Sequence, residues 1–216
     1  MHKYLVELIG TFFLVLTIGT SVIGEVAVAP LAIGAILMVM VYAGGHISGG
    51  HYNPGVTLGV FLRGKLSSRD VLPYWVAQIV GAALAALVVR YLAGPPRTAQ
   101  LDPPIGPALV AELLFSFALV WVVLNAATSK HTVGNSFYGL AIGFTVAAGA
   151  FAVGGVSGGA FNSAVAVGIS MAGLVTWSAI WIYLLANLVG GAIAAYVFTF
   201  TSTDDRVVTP APGGVD

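Results

Sequence analysis

The chain of 216 residues contains no cysteine, which excludes disulfide bonds, zinc–thiolate sites and thiol catalysis. Charge is also scarce: Asp, Glu, Lys and Arg make up 7% of the residues, against about 25% in a soluble domain. The formal net charge is zero, so there is no basic excess of the kind that binds nucleic acid. Hydrophobic residues make up 58% and the mean hydropathy is +0.98, which indicates a polytopic membrane protein.

Six apolar stretches are long enough to cross a bilayer, which takes about 20 residues. They cover residues 4–23, 30–49, 72–92, 107–127, 137–156 and 176–200. The first stretch follows Lys3 as a signal peptide would, but Glu7 inside it and the lack of a small-x-small cleavage site favour a retained span. The sequence therefore predicts an all-α integral membrane protein with a single membrane domain over residues 1–200.

The orientation follows from the basic residues, which concentrate in cytoplasmic loops. With six spans, six Lys and Arg residues fall on the side of the N-terminus and two fall on the other side. This count predicts a multi-pass protein of the cell membrane with both termini in the cytoplasm. Residues 201–216, which contain several Asp, Pro and Gly, are expected to form a disordered cytoplasmic tail.

Two Gly-rich loops that each end in one Asn repeat at an offset of 109 residues. Residues 45–60 read GHISGGHYNPGVTLGV and residues 154–169 read GGVSGGAFNSAVAVGI. Asn is favoured at a helix N-cap, and proline is favoured at the first helical position. The segments that follow are too short to span a bilayer. We therefore expect two re-entrant half-helices that begin with Asn53, Pro54 and Gly55, and with Asn162, Ser163 and Ala164.

The repeat extends over the whole membrane domain. The tetrapeptide LAIG occurs at residues 31–34 and again at residues 140–143, and Glu7 and Glu112 open the two halves in similar settings. Each half, residues 4–92 and 107–200, holds three spans and one half-helix. Because three is odd, the halves cross the membrane in opposite senses, and such inverted repeats place the functional site near the midplane.

The two Asn residues are predicted to meet at the bilayer centre. Polar, Gly-rich backbone is tolerated at that depth only around protein or a water-filled cavity. Each amide oxygen can cap its own helix, which leaves the NH2 donors of Asn53 and Asn162 for a water or hydroxylated solute. Loop carbonyls supply acceptors, and the positive ends of the two helix dipoles oppose the passage of cations and protons.

These stretches resemble the aquaporin (major intrinsic protein) family. HISGGHYNPGVTLG is similar to the family's first Asn-Pro-Ala loop and GGVSGGAFNSAVAVG to its second, and the resemblance covers roughly residues 4–200. It implies a right-handed bundle of six transmembrane helices with two re-entrant half-helices, assembled as a homotetramer in the lipid bilayer. It further implies one pore per subunit for water or small neutral solutes, with Asn53 and Asn162 as pore donors and no cofactor.

Three positions depart from the family's pattern. Gly55 replaces Ala in the first motif, and Ser163 replaces Pro in the second. Val165 stands where the family has an Arg that belongs to the outer constriction. By similarity of spacing, the other constriction positions are Ile33, Ala150 and Gly159. Water-selective members resemble Phe, His, a small residue and Arg at these four positions, so this constriction is expected to be wider and less polar.

We therefore expect a passive channel for water and small uncharged solutes: glycerol, urea, hydrogen peroxide or neutral metalloid hydroxides such as arsenous acid. Some bacterial relatives that lack this Arg resemble metalloid channels. One alternative is a water-selective channel in which Phe151 or Phe161 refills the constriction. Others are an inverted-repeat secondary transporter and a non-conducting scaffold. The sequence shows no nucleophile–base pair, metal cluster or phosphate loop that would indicate an enzyme.

Four titratable residues, two Glu and two His, are expected to lie close to the Gly-rich loops. Glu7 and Glu112 lie deep in spans, where acids serve in proton relays or accept hydrogen bonds. We favour acceptors that support the Gly-rich loops, in agreement with the family resemblance. His46 and His51 flank the first loop and could bind a metal or sense pH. No metal-ligand constellation accompanies them, so pore lining or loop support is the preferred interpretation.

Overall fold

The computed structural model describes residues 1–96 and 98–205. Its α-helices are α1 (His2–Ile23), α2 (Ala29–Ser48), α3 (Pro54–Leu62), α4 (Ser68–Ala93), α5 (Ile105–Val123), α6 (Tyr138–Ser157), α7 (Ser163–Ala172) and α8 (Ile180–Thr201). A π-helical turn, Leu124–Thr128, extends α5. Short 3-10 helices occupy Lys130–Thr132, Trp177–Ala179 and Thr203–Asp205.

Six of the helices in the described residues are long and apolar enough to cross a membrane, and they correspond to the six predicted spans. The helices α3 and α7 have 9 and 10 residues. At 1.5 Å per residue each is about 15 Å long or slightly less, half of a hydrocarbon core of about 30 Å. The predicted all-α architecture of six transmembrane helices and two half-helices is confirmed.

The two halves of the repeat contact each other at a pair of equivalent glycines. Helices α2 and α6 cross where Gly34 faces Gly143, and a Cβ atom on Gly34 would lie 2.6 Å from the carbonyl oxygen of Gly143. A Cβ atom on Gly143 would meet the carbonyl oxygen of Gly34 even more closely. Only small residues allow such an approach of two backbones. The pairs α1 with α4 and α5 with α8 pack in the same related way, so the sequence repeat is also a repeat in space.

Both ends of the described chain lie on one face of the bundle, which we call the termini face. There Lys3 at the start of α1 donates a 2.6 Å hydrogen bond to Asp70 at the start of α4. The opposite face, called the distal face, carries the connections between α4 and α5 and between α7 and α8. These two connections pair at an isolated bridge between Leu101 and Val175.

The segment 201–205 corrects part of the expectation for the tail. Helix α8 continues to Thr201, and Thr203–Asp205 forms a 3-10 turn. Asp205 is buried. Its carboxylate accepts hydrogen bonds from Ser129 and Lys130 and forms an ion pair with Arg63, which holds this segment against the bundle. The remaining residues, 206–216, lie outside the described residues, and their disorder stays a prediction.

Candidate functional site

Asn53 and Asn162 lie where the N-termini of α3 and α7 meet. Both have extended backbone, with φ of −157° and −161°, as an N-cap residue does. Each Oδ1 atom accepts hydrogen bonds from the N–H groups two and three residues further on. The distances are 2.8 and 3.4 Å for Asn53, and 2.9 and 3.3 Å for Asn162. Each amide oxygen therefore caps its own half-helix, as the sequence predicts.

Each amide also reaches the other half of the repeat. The Nδ2 atom of Asn53 donates to the carbonyl of Phe161 at 2.8 Å, and that of Asn162 donates to the carbonyl of Tyr52 at 2.8 Å. An amide nitrogen carries two hydrogens, so one N–H group of each Asn is left over. Since both residues line the central cavity, a water or hydroxyl oxygen there can accept one hydrogen bond from each.

Two buried acids hold the Gly-rich loops. Glu7 accepts hydrogen bonds from the hydroxyl of Ser48 at 2.7 Å and from the backbone N–H groups of His51 and Tyr52 at 2.9 and 2.6 Å. Glu112 makes the same three bonds in the second half, at 2.7, 3.0 and 2.6 Å. The geometry is that of hydrogen-bond acceptors for the loops.

These bonds fix an unusual backbone conformation. Tyr52 and Phe161, the residues just before the two Asn, have φ of +50° and +47°. Residues with a side chain rarely adopt this left-handed region, and they do so when their surroundings hold them there. Their N–H groups each bind a glutamate, and their carbonyls each bind the Asn of the other half. The left-handed backbone of Tyr52 and Phe161 thus points their carbonyl oxygens at the Asn amides of the opposite half, and these hydrogen bonds join the two half-helices.

The two predicted histidines lie in different environments. His51 is buried and lines the cavity, and its Nδ1 atom is 3.2 Å from the hydroxyl oxygen of Thr57. His46 is exposed in the last turn of α2 and lines a depression on the termini face. No hydrogen bond to the His46 ring occurs among the described residues, so this side chain gives the loop no support. Among these residues, no group of three or more His, Cys, Asp or Glu side chains is placed to hold a metal ion.

The central cavity includes all four predicted constriction positions: Ile33, Ala150, Gly159 and Val165. Half of the remaining lining residues are apolar side chains of α1, α2, α5 and α6. The cavity leaves about 50 Å³ for the centres of water-sized molecules. This space is large enough to hold water beside the two Asn amides. His51 is the one titratable side chain among the described lining residues.

Wider vestibules connect the cavity to both faces. The distal vestibule shares Ile18, Val22, Ile33 and Ala150 with the cavity. The vestibule on the termini face shares His51 and Val123 with it. The cavity and the two vestibules therefore lie in succession between the two faces, alongside the two Asn amides.

The Major intrinsic protein family model matches residues 1–198. The chain belongs to the major intrinsic protein family. It is 36% identical to the glycerol uptake facilitator protein-like 6 of Lactiplantibacillus plantarum, over 95% of this chain and 100% of that protein. It is 33% identical to aquaporin NIP1-1 of Zea mays, over 97% of this chain and 79% of that protein. The X-ray structure of the aquaglyceroporin from Plasmodium falciparum has the same fold, with a TM-score of 0.76 over 96% of both chains at 18% identity.

Members of this family are channels and not enzymes, so the chain is a multi-pass membrane channel. Neither Phe151 nor Phe161 fills the constriction of this major intrinsic protein. The side chain of Phe151 is 60% exposed, and Phe161 is buried against Phe115 with ring centroids 5.1 Å apart. Both lie outside the set of residues that line the cavity. The geometry gives no support to refilling by these two rings.

This major intrinsic protein has a third amide at the half-helix junction. The Oδ1 atom of Asn187 accepts hydrogen bonds from the N–H group of Gly55 at 2.9 Å, and from the N–H and hydroxyl groups of Ser163 at 3.1 and 2.8 Å. Its Nδ2 atom donates to the carbonyl of Phe161 at 2.9 Å. One side chain thus binds the first turns of both α3 and α7.

The contact of Asn187 gives a structural reason for Ser163. A proline at this position has neither an N–H group nor a hydroxyl to donate. In the sequence, Asn187 is visible only as the repeat partner of Gln78. The side chain of Gln78 donates hydrogen bonds to Glu7 and Thr57 at 2.8 and 3.0 Å, whereas Asn187 binds the first turns of the two half-helices. The available signal was a polar residue in the middle of an apolar span, which marks a functional position in a membrane protein.

Proposed function

We propose that this channel conducts water together with larger uncharged solutes: glycerol, urea, hydrogen peroxide or arsenous acid. The observation that carries the proposal is the chemistry of the constriction. Ile33, Ala150, Gly159 and Val165 line the cavity, and none of them has a charge or a side-chain donor. An Arg at this point would narrow the pore and supply donors, whereas Val165 does neither.

The polar groups that remain suit neutral hydroxylated molecules. The two Asn amides donate from the junction, and the loops supply backbone carbonyl oxygens as acceptors. A solute with several hydroxyl groups can exchange its hydration for these groups while its carbon atoms contact the apolar wall. Ions lose more hydration than such a wall replaces, and the positive ends of α3 and α7 oppose cations.

The relatives support glycerol as one of the solutes. The name of the 36% identical protein of Lactiplantibacillus plantarum includes glycerol uptake. Glycerol is also a suitable first probe, because its three hydroxyl groups and short carbon chain match a lumen with a few donors on an apolar wall. Arsenous acid has a similar set of hydroxyl groups and no charge, which extends the proposal to neutral metalloid hydroxides.

We also propose that the termini face is cytoplasmic and that four chains form a homotetramer in the cell membrane. Five of the six Lys and Arg residues that the structure describes lie on the termini face: Lys3, Arg63, Lys65, Arg69 and Lys130. Since the chain has no cysteine, single cysteines at the exposed positions Ser68 and Ala99 can report each face. A membrane-impermeant thiol reagent applied to whole cells should label Ala99→Cys only. Light scattering of the purified protein tests the tetramer.

Solute-resolved permeability tests the proposed function. Proteoliposomes are mixed in a stopped-flow instrument with gradients of water, glycerol, urea or arsenous acid, and protein-free liposomes serve as the control. We expect glycerol and arsenous acid to enter at rates that rise linearly with the gradient and do not respond to a pH gradient. Passage of water alone would support the water-selective alternative. Saturating flux coupled to protons would support a secondary transporter.

A further inference from the structure

The internal repeat places a second ring of residues on the other side of the Asn junction. Each of the four predicted constriction positions has a partner 109 residues away in the other half of the repeat. We call the four constriction positions the distal ring and their four partners the termini ring. The pairs are Ile142 with Ile33, Val41 with Ala150, Gly50 with Gly159, and Val56 with Val165. Three of the four pairs are identical residues, so the two rings have almost the same composition.

The backbone geometry of the rings is also the same. Gly50 and Gly159 have φ of +63° and +65°. A Cβ atom on Gly50 would lie 3.4 Å from the Cα atom of Val41, and one on Gly159 would lie 3.4 Å from the Cα atom of Ala150. Val41 therefore stands next to Gly50 as Ala150 stands next to Gly159. Ile142 of the termini ring and Ile33 of the distal ring both line the same cavity.

The two sides of the junction differ in bulk next to the rings, where the large side chain of His51 lies on the termini side. Val41, the partner of Ala150, is 1% exposed and lies outside the residues that line the cavity, so it adds no bulk to the lumen itself. The imidazole of His51, which lines the cavity, occupies the position that Ala160 has in the second half. On α5, Val123 is smaller than Ile18 of α1 by one methylene group, which offsets only part of the added volume.

We propose that the termini ring, together with His51, is a second size filter in series with the distal ring, and that it is the narrower of the two. This inference rests on the proposed function, because it concerns how the same pore selects solutes by size. Barriers in series add, so the narrower barrier determines most of the total resistance. Widening the wider barrier then changes the flux of a large solute only slightly.

The repeat supplies matched variants for the test. Ile142→Ala and Ile33→Ala remove the same atoms from equivalent places, and Val56→Ala and Val165→Ala form a second pair that removes fewer atoms. Glycerol permeability per protein is measured in proteoliposomes, with water permeability as the check that each variant is folded and inserted. We expect Ile142→Ala to raise glycerol permeability by roughly threefold or more, and Ile33→Ala by less than about 1.5-fold. The second pair should rank in the same order if an isoleucine variant fails to insert.

The double variant Ile33→Ala/Ile142→Ala should gain more than the two single gains together, because both barriers in series are then lowered. A distal variant that gains as much as its termini partner, or more, overturns the inference. The outcome stays separate from that of the proposed function. If the unmodified channel passes only water, the proposed function fails, and the same ranking then shows which substitution first admits glycerol.

Discussion

Asn53 and Phe161, which are 108 residues apart in the chain, are joined by a 2.8 Å hydrogen bond from a side-chain amide to a backbone carbonyl. The positive φ of Phe161 aims this carbonyl at the opposite half-helix. The equivalent bond from Asn162 to Tyr52 completes the pair. Both acceptors belong to strained residues that Glu7 and Glu112 hold in place. The capping of α3, the capping of α7 and the positions of the two Asn amides therefore form one coupled arrangement.

The first prediction concerns the amide donors. Asn53→Asp and Asn162→Asp keep a good N-cap oxygen but replace the NH2 group with a second oxygen, which then faces a carbonyl. Each change loses one buried hydrogen bond, at a cost of about 1–3 kcal/mol in folding stability. The carbonyl of Phe161 keeps its hydrogen bond from Asn187, whereas the carbonyl of Tyr52 loses its side-chain donor. We expect reduced permeability for both water and glycerol in proteoliposomes. The exposed Asp204→Asn serves as a control for charge change alone.

A larger loss of stability is expected for Asn162→Asp than for Asn53→Asp, because the carbonyl of Phe161 keeps its hydrogen bond from Asn187, whereas Asn162 is the one side chain among the described residues that donates to the carbonyl of Tyr52. A variant of either residue with unchanged water and glycerol permeability would show that the amide donors do not take part in conduction.

The second prediction concerns Val165, which is 2% exposed at the start of α7 and lines the central cavity at a predicted constriction position. Val165→Arg places a long cation in the lumen, where the carbonyls of the second loop can accept its hydrogen bonds. We expect glycerol and arsenous acid permeability to fall by roughly tenfold or more, and water permeability to fall less. Val165→Met matches much of the length without the charge. If the Met variant changes the ratio of glycerol to water flux as much as the Arg variant does, size alone explains the effect.

The third prediction concerns the Asn187 contact. Asn187→Leu removes the acceptor of Gly55 and Ser163 at the junction and leaves these buried donors with fewer partners. We expect a loss of about 2–3 kcal/mol in stability, seen as a lower unfolding temperature in detergent. Ser163→Pro suits the first position of a helix and removes the donors together with the need for the acceptor. Ser163→Pro should therefore cost less than Asn187→Leu, and the two effects should not add.

The fourth prediction is a pH dependence at the termini face. The hydroxyl of Ser129, the N–H group of Lys130 and the nearby Arg63 guanidinium hold the pKa of Asp205 below its usual value of 3.8. The fold therefore favours the ionised carboxylate, and this contribution to stability is present above the usual pKa and is lost as pH falls through the lowered one. Asp205→Asn should lower the unfolding temperature by a few degrees at pH 7.

The difference between Asp205→Asn and the unmodified protein should stay constant from about pH 7 to pH 5 and shrink below about pH 4. Asp204→Asn, at an exposed neighbouring position, should show little difference at any pH. A difference for Asp205→Asn that grows as the pH falls would contradict the assignment of the carboxylate as the stabilising form.

Much of the site follows from the pattern of the chain. The two Asn caps and the half-helices depend on local rules and on the offset of 109 residues that the sequence repeats, and Glu7 and Glu112 occur in similar settings at an offset of 105 residues. The role expected for His46 failed because the last turn of α2 turns this side chain outward, which sequence spacing does not reveal. The ordered Asp205 was missed because its partners, Ser129 and Arg63, are distant in sequence.

The sequence alone determined the membrane environment, the six spans, the inverted repeat and the two capped half-helices, since these depend on hydropathy, residue propensity and periodicity along the chain. Only the tertiary structure decided that Asn53 binds the carbonyl of Phe161, that Asn187 joins both half-helices and that seven of the eight ring residues, all but Val41, line one cavity. These contacts join residues that are 24 to 132 positions apart in the chain, so they depend on how the helices pack in three dimensions.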